Sequence, residues 1–241
     1  MNTEILYGFH PVAEAIKANR RKIEKFYFVN NKKSKNQQLI DFAIQKNIPL
    51  TNISKDELNN LTESQHNQGV AAIVSPYPVC NFYDCIDNAA QFVLILDNIV
   101  DSQNLGAILR TSLAVGIDFV IISKDRSAKP TPSVSKSSAG AMEHMKIAIV
   151  TNIVNTIKKL KEKNFWIAGL DKEQGKNIYS TDLSGLLAIV IGGEQKGIRQ
   201  LVKNNCDFLI SIPQKGEINS LNASVAGAVA MYEAFRQRII I

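Results

Sequence analysis

Three separated segments of the chain carry polar residues that could face a ligand. Asn104 and Arg110 lie six residues apart, nearly two turns of a predicted helix, so both can lie on one side of it. Glu194 stands at a predicted helix start directly after Gly192 and Gly193, and paired glycines let a backbone approach a ligand closely. A polar pair on an otherwise apolar helix needs a partner. A surface arginine and an ordinary glycine turn are the simpler alternatives for these segments taken alone.

The third segment is a loop rich in hydroxyl and amide groups that precedes a predicted helix rich in Ala and Gly. It contains Ser220 and Asn222, and either residue could serve only as a helix N-cap. Each of the three segments follows a predicted strand. Ligands of parallel α/β sheets bind beyond the carboxyl ends of the strands, so all three segments lie where a ligand site is expected.

The hydrophobic pattern predicts an α/β protein with a parallel sheet. Buried strands are predicted at residues 92–96, 119–122, 147–150, 165–168, 188–191 and 208–212. The helices between them are predicted at residues 104–115, 152–163, 196–204 and 221–238. Near-continuous apolar strands that alternate with helices are typical of a parallel sheet that is covered on both faces.

The first third of the chain predicts a smaller α/β domain. Its pattern gives helices at residues 10–19 and 35–46, a helix that begins after Ser54, and strands at residues 26–30, 49–53 and 70–74. Pro76 and Pro78 then remove backbone donors and disfavour helix. We therefore predict an N-terminal domain at residues 1–75, a linker at residues 76–88 and a C-terminal domain at residues 89–241.

Composition limits the classes of function. Of the 241 residues, 45% are hydrophobic and 21% are charged, which is ordinary for a globular protein. No apolar run reaches membrane-spanning length and residues 1–4 do not begin a signal peptide, so we expect a cytoplasmic protein with no membrane partner. The histidines and Cys80, Cys85 and Cys206 match no metal or disulfide pattern, so we expect no metal and free thiols. The glycines match neither a dinucleotide fingerprint nor a P-loop, which argues against dehydrogenases and NTPases.

Positive charge is concentrated near the N-terminus. The net charge is +6, and residues 17–35 contain eight basic residues and one acidic residue. We call this stretch the basic patch. A basic patch on a small domain fits binding to a phosphate backbone, and a solvated surface is the alternative interpretation.

Together, the three polar segments resemble the three sequence motifs of the SpoU (TrmH) family of RNA 2′-O-methyltransferases, within the SPOUT class. The matching residues of the first motif are Asp101, Asn104, Gly106, Arg110 and Thr111. Those of the second motif are Ile191, Gly192, Gly193, Glu194 and Gly197. Those of the third motif are Ile212, Pro213, Ser220, Leu221, Asn222, Ala223, Ser224, Val225 and Ala226. Residues 7–12 and 66–70 also look like parts of the family's substrate-binding domain, so the resemblance covers essentially the whole chain.

The resemblance implies a fold that composition does not show. It implies an L30e-like α/β domain that binds RNA, followed by an α/β-knot methyltransferase domain with a mostly parallel sheet. In that domain the C-terminal segment would thread through a loop to form a trefoil knot, one of the rare exceptions to unknotted chains. The resemblance further implies S-adenosylmethionine as the methyl donor, no metal, and a homodimer whose active site uses residues of both subunits.

The resemblance also assigns roles to individual residues. It implies that Arg110 activates the ribose 2′-hydroxyl, with Asn104, Glu194, Ser220 and Asn222 as further catalytic residues. Cofactor contacts are implied for a second set of positions, which are Gly192, Ile212 and Leu221, followed by Gly193 and Gly169. Because a guanidinium is normally a permanent cation, we expect Arg110 to stabilise the forming alkoxide or to bind the adjacent phosphate.

The most similar branch of the family is the RlmB-like branch, which methylates a guanosine ribose in large-subunit (23S) ribosomal RNA. A tRNA substrate is the alternative. The tract from Lys124 to Lys129 and the side chain of Lys136 would both fit an RNA substrate. Two further hypotheses are an RNA-binding or ribosome-assembly protein without catalysis, and a methyltransferase that acts on a small molecule or a protein.

Overall fold

The computed structural model describes residues 3–30, 36–87, 89–194, 196–216 and 220–239. The chain divides into two units, of which the first spans residues 1–78 and 130–144 and the second spans residues 79–129 and 145–241. The first unit therefore includes a segment that the sequence analysis assigned to the C-terminal domain. The second unit begins inside the predicted linker.

Strands and helices alternate along most of the chain. The strands are β1 (Glu4–Tyr7), β2 (Ile23–Phe28), β3 (Leu50–Asn52), β4 (Val70–Val74), β5 (Phe92–Asp97), β6 (Phe119–Ser123), β7 (Ile147–Val150), β8 (Trp166–Leu170), β9 (Lys176–Asn177), β10 (Leu187–Gly192) and β11 (Phe208–Ser211). The α-helices are α1 (Phe9–Ala18), α2 (Gln37–Gln45), α3 (Lys55–Thr62), α4 (Phe82–Asp87), α5 (Ser102–Ala114), α6 (Pro132–Ser137), α7 (Ile153–Glu162), α8 (Gln200–Lys203) and α9 (Ala223–Ile239). The sequence did not predict β1, α4, α6 and β9.

The first unit is built on a mixed sheet with the strand order β1-β4-β2-β3. Strand β4 pairs antiparallel with β1 and β2, whereas β2 and β3 are parallel. Apolar residues of the strands and of α1 and α2 form one core, which includes Leu6, Val12, Phe26 and Leu39. This unit confirms the small α/β domain predicted for the N-terminal part of the chain.

The first unit also contains residues 130–144, which we call the strap. Its helix α6 and a following 3-10 helix, Ala141–His144, pack against α1, and α6 also packs against β1. At Gly140 the strap lies so close to α1 that a Cβ atom would be 2.7 Å from the carbonyl oxygen of His10. The strap buries Val134 and Met142 completely.

A buried ion pair fixes the strap within the first unit. Arg21 Nη1 lies 3.3 Å from Glu143 Oε1, and both side chains are 1% exposed. Ser135 Oγ donates to the same oxygen at 2.7 Å, and Arg21 Nε donates to the carbonyl oxygen of Ser75 at 2.9 Å. Arg21 also pairs with Glu4. Buried charges are tolerated only when they are paired and hydrogen-bonded, and each end of this pair meets that condition.

The second unit is built on a seven-stranded sheet with the order β7-β6-β5-β10-β8-β11-β9. All neighbouring strands are parallel. Every residue of β5 and β6 is buried, as the continuous apolar runs predicted. The mixed α/β fold with a mostly parallel second sheet is therefore confirmed. The trefoil knot that the resemblance implies stays a prediction.

Helix α9 returns the end of the chain to the sheet. It packs on α5 and on β10. The contact with β10 is close at Gly227, where a Cβ atom would lie 2.6 Å from Ile191 Cδ1. The third motif is thereby joined to the second one, because the third motif ends in the first turn of α9 and β10 ends in the second motif.

Two of the three cysteines differ from the sequence expectation. Cys80 and Cys85 are paired as a disulfide, with Cα atoms 6.7 Å apart, so the expectation of free thiols is corrected for this pair. The backbone N–H of Cys80 donates to the carbonyl oxygen of Ile147, and Cys85 is buried in α4. This local fold brings the two sulfur atoms together. Cys206 is free, and burial raises the pKa of its thiol to about 12.

Candidate active site

The parallel pairing of β5 with β10 places the first two motifs side by side. In the register of this pair Asp97, the last residue of β5, lies opposite Gly192, the last residue of β10. The first motif starts directly after Asp97 and the second motif continues from Gly192. Both motifs therefore leave the same edge of the sheet, which is where ligands bind in parallel α/β folds.

Asp97 holds both ends of the loop at residues 193–199. Its carbonyl oxygen accepts a hydrogen bond from the backbone N–H of Gly193 at 2.9 Å. Its carboxylate accepts from the backbone N–H and from Nε of Arg199, both at 2.8 Å. The Asp97 side chain is completely buried, so the ion pair with Arg199 offsets the cost of burying the carboxylate. This loop carries Glu194 and is fixed in front of the sheet.

The two glycines of the second motif are required by close backbone contacts. A Cβ atom on Gly192 would lie 2.0 Å from the carbonyl carbon of Gly197, and one on Gly193 would lie 2.4 Å from the carbonyl oxygen of Asn98. The loop also closes on itself, because the N–H of Gly197 donates to the oxygen of Gly193 at 2.9 Å. No larger residue fits at Gly192 or Gly193 without moving the backbone.

Asn104, Glu194 and Asn222, one residue from each motif, form a group that we call the polar junction. Asn104 Nδ2 donates to Glu194 Oε1 at 2.7 Å. Asn222 Nδ2 donates to Asn104 Oδ1 at 3.0 Å and to Glu194 Oε1 at 2.6 Å. Local caps hold the two amides, since Asp101 caps α5 and Asn222 Oδ1 accepts from the N–H of Ser224 at 2.9 Å. The structure thus brings together three of the five predicted catalytic residues.

A cavity of about 410 Å³ opens beside the polar junction, and we call it the first cavity. Its walls include six of the predicted site residues, which are Gly192, Gly193, Glu194, Ile212, Ser220 and Leu221. The first cavity is therefore lined by the apolar side chains of Ile212 and Leu221, by the glycine turn, by the carboxylate of Glu194 and by the hydroxyl of Ser220. Ser220 therefore lies at the same cavity as Glu194, whereas the sequence alone could not distinguish it from a helix cap.

Gly169 occupies a different environment from the other predicted cofactor positions. It is buried in β8, where a Cβ atom would lie 2.8 Å from Leu209 Cδ2 and 2.9 Å from Cys206 Sγ. The cavity wall is formed by the next two residues, Leu170 and Asp171. Leu170 and Asp171 are not among the predicted site residues, although they follow the strand predicted at residues 165–168 by two and three positions.

Arg110 takes no part in the hydrogen bonds of the polar junction of its own chain. Its side chain is exposed on α5, and it makes no hydrogen bond or ion pair with any residue that the structure describes. Helix α9, which packs on α5, exposes the apolar side chains of Val225 (49%) and Tyr232 (52%). The second unit thus exposes both an arginine that has no partner among the described residues and two apolar side chains of α9.

Within the described ranges, no group of three or more His, Cys, Asp and Glu side chains is arranged to hold a metal ion. None of the helices in the same ranges has the length and apolar character needed to cross a membrane.

Family models match both parts of the chain. The model of the SpoU rRNA Methylase family matches residues 91–232. The model described as RNA 2′-O ribose methyltransferase substrate binding matches residues 5–80. The first match contains all three motifs, and the second covers the sheet of the first unit.

Relatives of similar length support the same grouping. A protein of Staphylococcus saprophyticus, named as a TrmH family tRNA/rRNA methyltransferase, is 40% identical over 244 residues, which cover 99% of this chain and 97% of that protein. YacO of Bacillus subtilis carries the same family name and is 38% identical over 240 residues, which cover 98% of this chain and 96% of YacO.

Solved structures share the fold. The SpoU methyltransferase AviRb from Streptomyces viridochromogenes, crystallised with AdoMet, matches with a TM-score of 0.82 and 21% identity, covering 98% of this chain and 90% of AviRb. The AdoMet-bound rRNA methyltransferase from Sinorhizobium meliloti matches with a TM-score of 0.82 and 20% identity, covering 97% of this chain and 87% of that one. The matches to family models and to full-length relatives show that this chain belongs to the SpoU rRNA methylase family.

Proposed function

We propose that this protein transfers a methyl group from S-adenosylmethionine to a ribose 2′-hydroxyl of structured RNA, and that the target is a guanosine of 23S ribosomal RNA. The observation that carries the proposal is the polar junction, where Asn104, Glu194 and Asn222 of three separate motifs meet beside a cavity of about 410 Å³. A fold kept only for RNA binding would not need these three side chains to converge.

The first cavity fits the methyl donor. Its volume of about 410 Å³ lies within the range of small-molecule pockets. Ile191, Ile212 and Leu221 offer apolar surface to an adenine ring, and backbone groups at Gly192 can hydrogen-bond its edge. The related enzymes AviRb and that of S. meliloti were crystallised with AdoMet, which supports the same donor here.

The chemistry is an in-line displacement. The donor supplies an S–CH₃ bond that breaks while an O–CH₃ bond forms, and its sulfonium becomes a neutral thioether, so no metal is needed. The protein must orient the ribose hydroxyl, accept its proton and stabilise the developing negative charge. Both amides of the polar junction donate to Glu194 Oε1, which leaves Oε2 to accept a hydrogen bond from the ribose hydroxyl. Ser220, on the same cavity wall, is placed to contact the ribose or its phosphate.

Arg110 completes this site when a second copy of the chain supplies it. Arg110 is exposed and pairs with none of the residues described in its own chain, yet the reaction needs a cation near the reacting oxygen. The family's homodimer, with residues of both subunits in one site, accounts for this arrangement. Exposed apolar groups on α9, Val225 and Tyr232, support burial of this face between two copies.

The lysines of the basic patch are proposed to bind RNA phosphates, whereas its Arg21 is buried in the ion pair with Glu143. Three of its lysines, Lys32, Lys33 and Lys35, lie outside the described residues. Replacing all three by alanine is expected to flatten the salt dependence of RNA binding, with the log–log slope falling by roughly 0.7–0.9 for each phosphate that the variant no longer binds. Filter binding at several salt concentrations measures the slope. The triple lysine-to-arginine variant is the control and should keep the parent slope, and an unchanged slope in the alanine variant would contradict the role of the patch.

Mapping of ribose methylation tests the substrate. Ribosomal RNA and tRNA from cells with and without the protein are compared at every nucleotide. We expect one guanosine of 23S ribosomal RNA to lose its 2′-O-methyl group. Loss of a methyl group from a tRNA would show that the substrate is tRNA and not 23S ribosomal RNA, and the relatives' names cover both RNA classes.

Calorimetry with S-adenosylmethionine distinguishes a methyltransferase from a protein that only binds RNA, since a pure RNA-binding protein would give no heat of binding with this donor.

A further inference from the structure

A second cavity of about 470 Å³ lies in the same unit as the first one. Its walls come from the connection between β5 and α5, from the loop after β6 and from the glycine loop of the second motif. The two cavities share Gly193, Glu194, Lys196, Gly197 and Ala223. Glu194 of the polar junction therefore lines both cavities. A methyl group transferred beside Glu194 would pass from a donor in one cavity to an acceptor in the other.

The second cavity is lined by two cations and two carboxylates. Its two carboxylates are engaged, because Asp101 caps α5 and Glu194 accepts from the amides of the polar junction. Its two cations, Arg126 and Lys196, form no hydrogen bond or ion pair with any residue described in the structure. Two free cations beside engaged carboxylates favour an anionic ligand.

The loop that carries Arg126 is held in place by its own hydrogen bonds. Ser123 Oγ donates to the carbonyl oxygen of Asp125 at 2.7 Å. The N–H of Ala128 donates to the carbonyl oxygen of Ile99 at 2.8 Å, which ties the loop to the opposite wall of the cavity. Arg126 itself has a φ of 55°, a left-handed conformation that non-glycine residues seldom adopt. The backbone position of Arg126 is therefore set before any ligand binds.

We propose that the second cavity holds the target nucleotide of the RNA, with Arg126 and Lys196 binding its backbone phosphate. The inference rests on the proposed function and extends it to Arg126 and Lys196, which are not among the predicted catalytic residues. In RNA the 2′-hydroxyl and the 3′-phosphodiester are attached to neighbouring carbons of one ribose. A ribose that presents its hydroxyl to Glu194 must therefore place a phosphate within the same cavity, where these two cations lie.

The remaining wall suits a nucleobase. Ile99 and Val100 are apolar, and Val100 is 70% exposed. A base lying against Val100 would cover that side chain. The second cavity thus offers an apolar surface, a pair of cations and a shared carboxylate, which match the base, the phosphate and the ribose of one nucleotide.

The test uses Arg126→Ala in the full chain, because Arg126 borders the second cavity and not the first. Ribosomal RNA from cells that lack the protein is the probe, with total tRNA from the same cells as a parallel arm. We expect KM for the RNA to rise about tenfold or more, as for loss of a hydrogen bond to a charged group. The salt slope of RNA binding should fall by roughly 0.7–0.9. Affinity for S-adenosylmethionine, measured by calorimetry, should not change.

Lys146→Ala is the matched control. Lys146 is exposed and directly precedes β7, at the amino-terminal edge of the sheet, whereas both cavities lie beyond the carboxyl ends of the strands. The Lys146→Ala variant should keep the parent values of KM for the RNA and of the salt slope of RNA binding. Lys196→Ala should act like Arg126→Ala on RNA. One outcome is that the Arg126→Ala variant matches Lys146→Ala in KM and in the salt slope of RNA binding while it still binds the donor and methylates RNA. That result would show that the second cavity does not bind the target nucleotide. If the parent protein neither binds the donor nor methylates RNA, the proposed function itself fails.

Discussion

Replacement of Arg110 by alanine is expected to lower the single-turnover rate of RNA methylation by at least about two orders of magnitude, the usual scale for losing an electrostatic or acid–base group of a transition state. Arg110 is exposed, and within the described part of its own chain it has no hydrogen-bond or ion-pair partner. A surface arginine without a role would contribute only ~0–1 kcal/mol to stability and nothing to the rate. Folding and affinity for S-adenosylmethionine should therefore remain close to those of the parent.

Two further variants make this prediction specific. Arg110→Lys keeps the charge but loses the planar fork of the guanidinium, so it should stay impaired if two-point contact with phosphate or alkoxide matters. Lys158→Ala removes another exposed cation of the same unit, on α7, and should methylate at the parent rate. An Arg110→Ala variant that methylates RNA within a few-fold of the parent would refute the assignment of Arg110 and the catalytic interpretation of the first motif.

Mixed dimers test where Arg110 acts. If each site combines Arg110 of one copy with Glu194 of the other, co-expressed Arg110→Ala and Glu194→Gln chains should form mixed dimers that contain one intact site. Methylation should then return in the mixture, although each variant alone is impaired. No recovery in mixed dimers isolated with two different affinity tags would show that both residues act within one chain.

The sheet of the second unit could be predicted because its signal is local. Residues 119–122 form an apolar run, and only a strand that is covered on both faces places every side chain of such a run in the core. The polar junction follows from the same logic. Parallel strands end at one edge of the sheet, so residues that follow different strands, such as Asn104 and Glu194, can meet.

Features that depend on distant partners could not be predicted in the same way. Glu143 is a charged residue in a segment without a clear helical or strand pattern, and its partner Arg21 lies 122 positions earlier. Nothing local indicates that this carboxylate is buried. The second cavity is equally non-local, since Val100, Arg126 and Lys196 come from three connections and share no motif. Gly169 packs against Leu209 and does not line the first cavity, and its role in cofactor binding stays a prediction.

Replacement of Arg21 by alanine is expected to destabilise the first unit by about 3–5 kcal/mol, because it leaves Glu143 as a buried carboxylate without its cation. The substitution also removes the hydrogen bond to Ser75. Hydrogen exchange of the β4 amides, followed by mass spectrometry, measures the local free energy of unfolding. Lys22→Ala is the matched control, since this neighbouring lysine is exposed and should change stability by less than about 0.5 kcal/mol.

The strap also changes how the two units should be separated. A chain that starts near residue 88 would keep residues 130–144 but lack the α1 and β1 surfaces that cover Val134 and Met142. Arg21 would be absent as well, so Glu143 would have no cation. Variants within the full chain therefore test RNA and donor binding more cleanly than a truncation at the predicted linker.

The effect of Arg21→Ala should depend on pH in a defined direction. Burial raises the pKa of Glu143, and removal of Arg21 raises it further. A carboxyl group with a raised folded pKa binds protons more tightly in the folded chain, so its contribution favours folding at low pH and is lost as pH rises through the folded pKa. The destabilisation should therefore be larger at pH 8 than at pH 5. The double variant Arg21→Ala with Glu143→Gln should recover part of the stability at pH 8 and show a weaker pH dependence. Equal destabilisation at both pH values, with no recovery in the double variant, would show that Arg21 acts by packing and not by its charge.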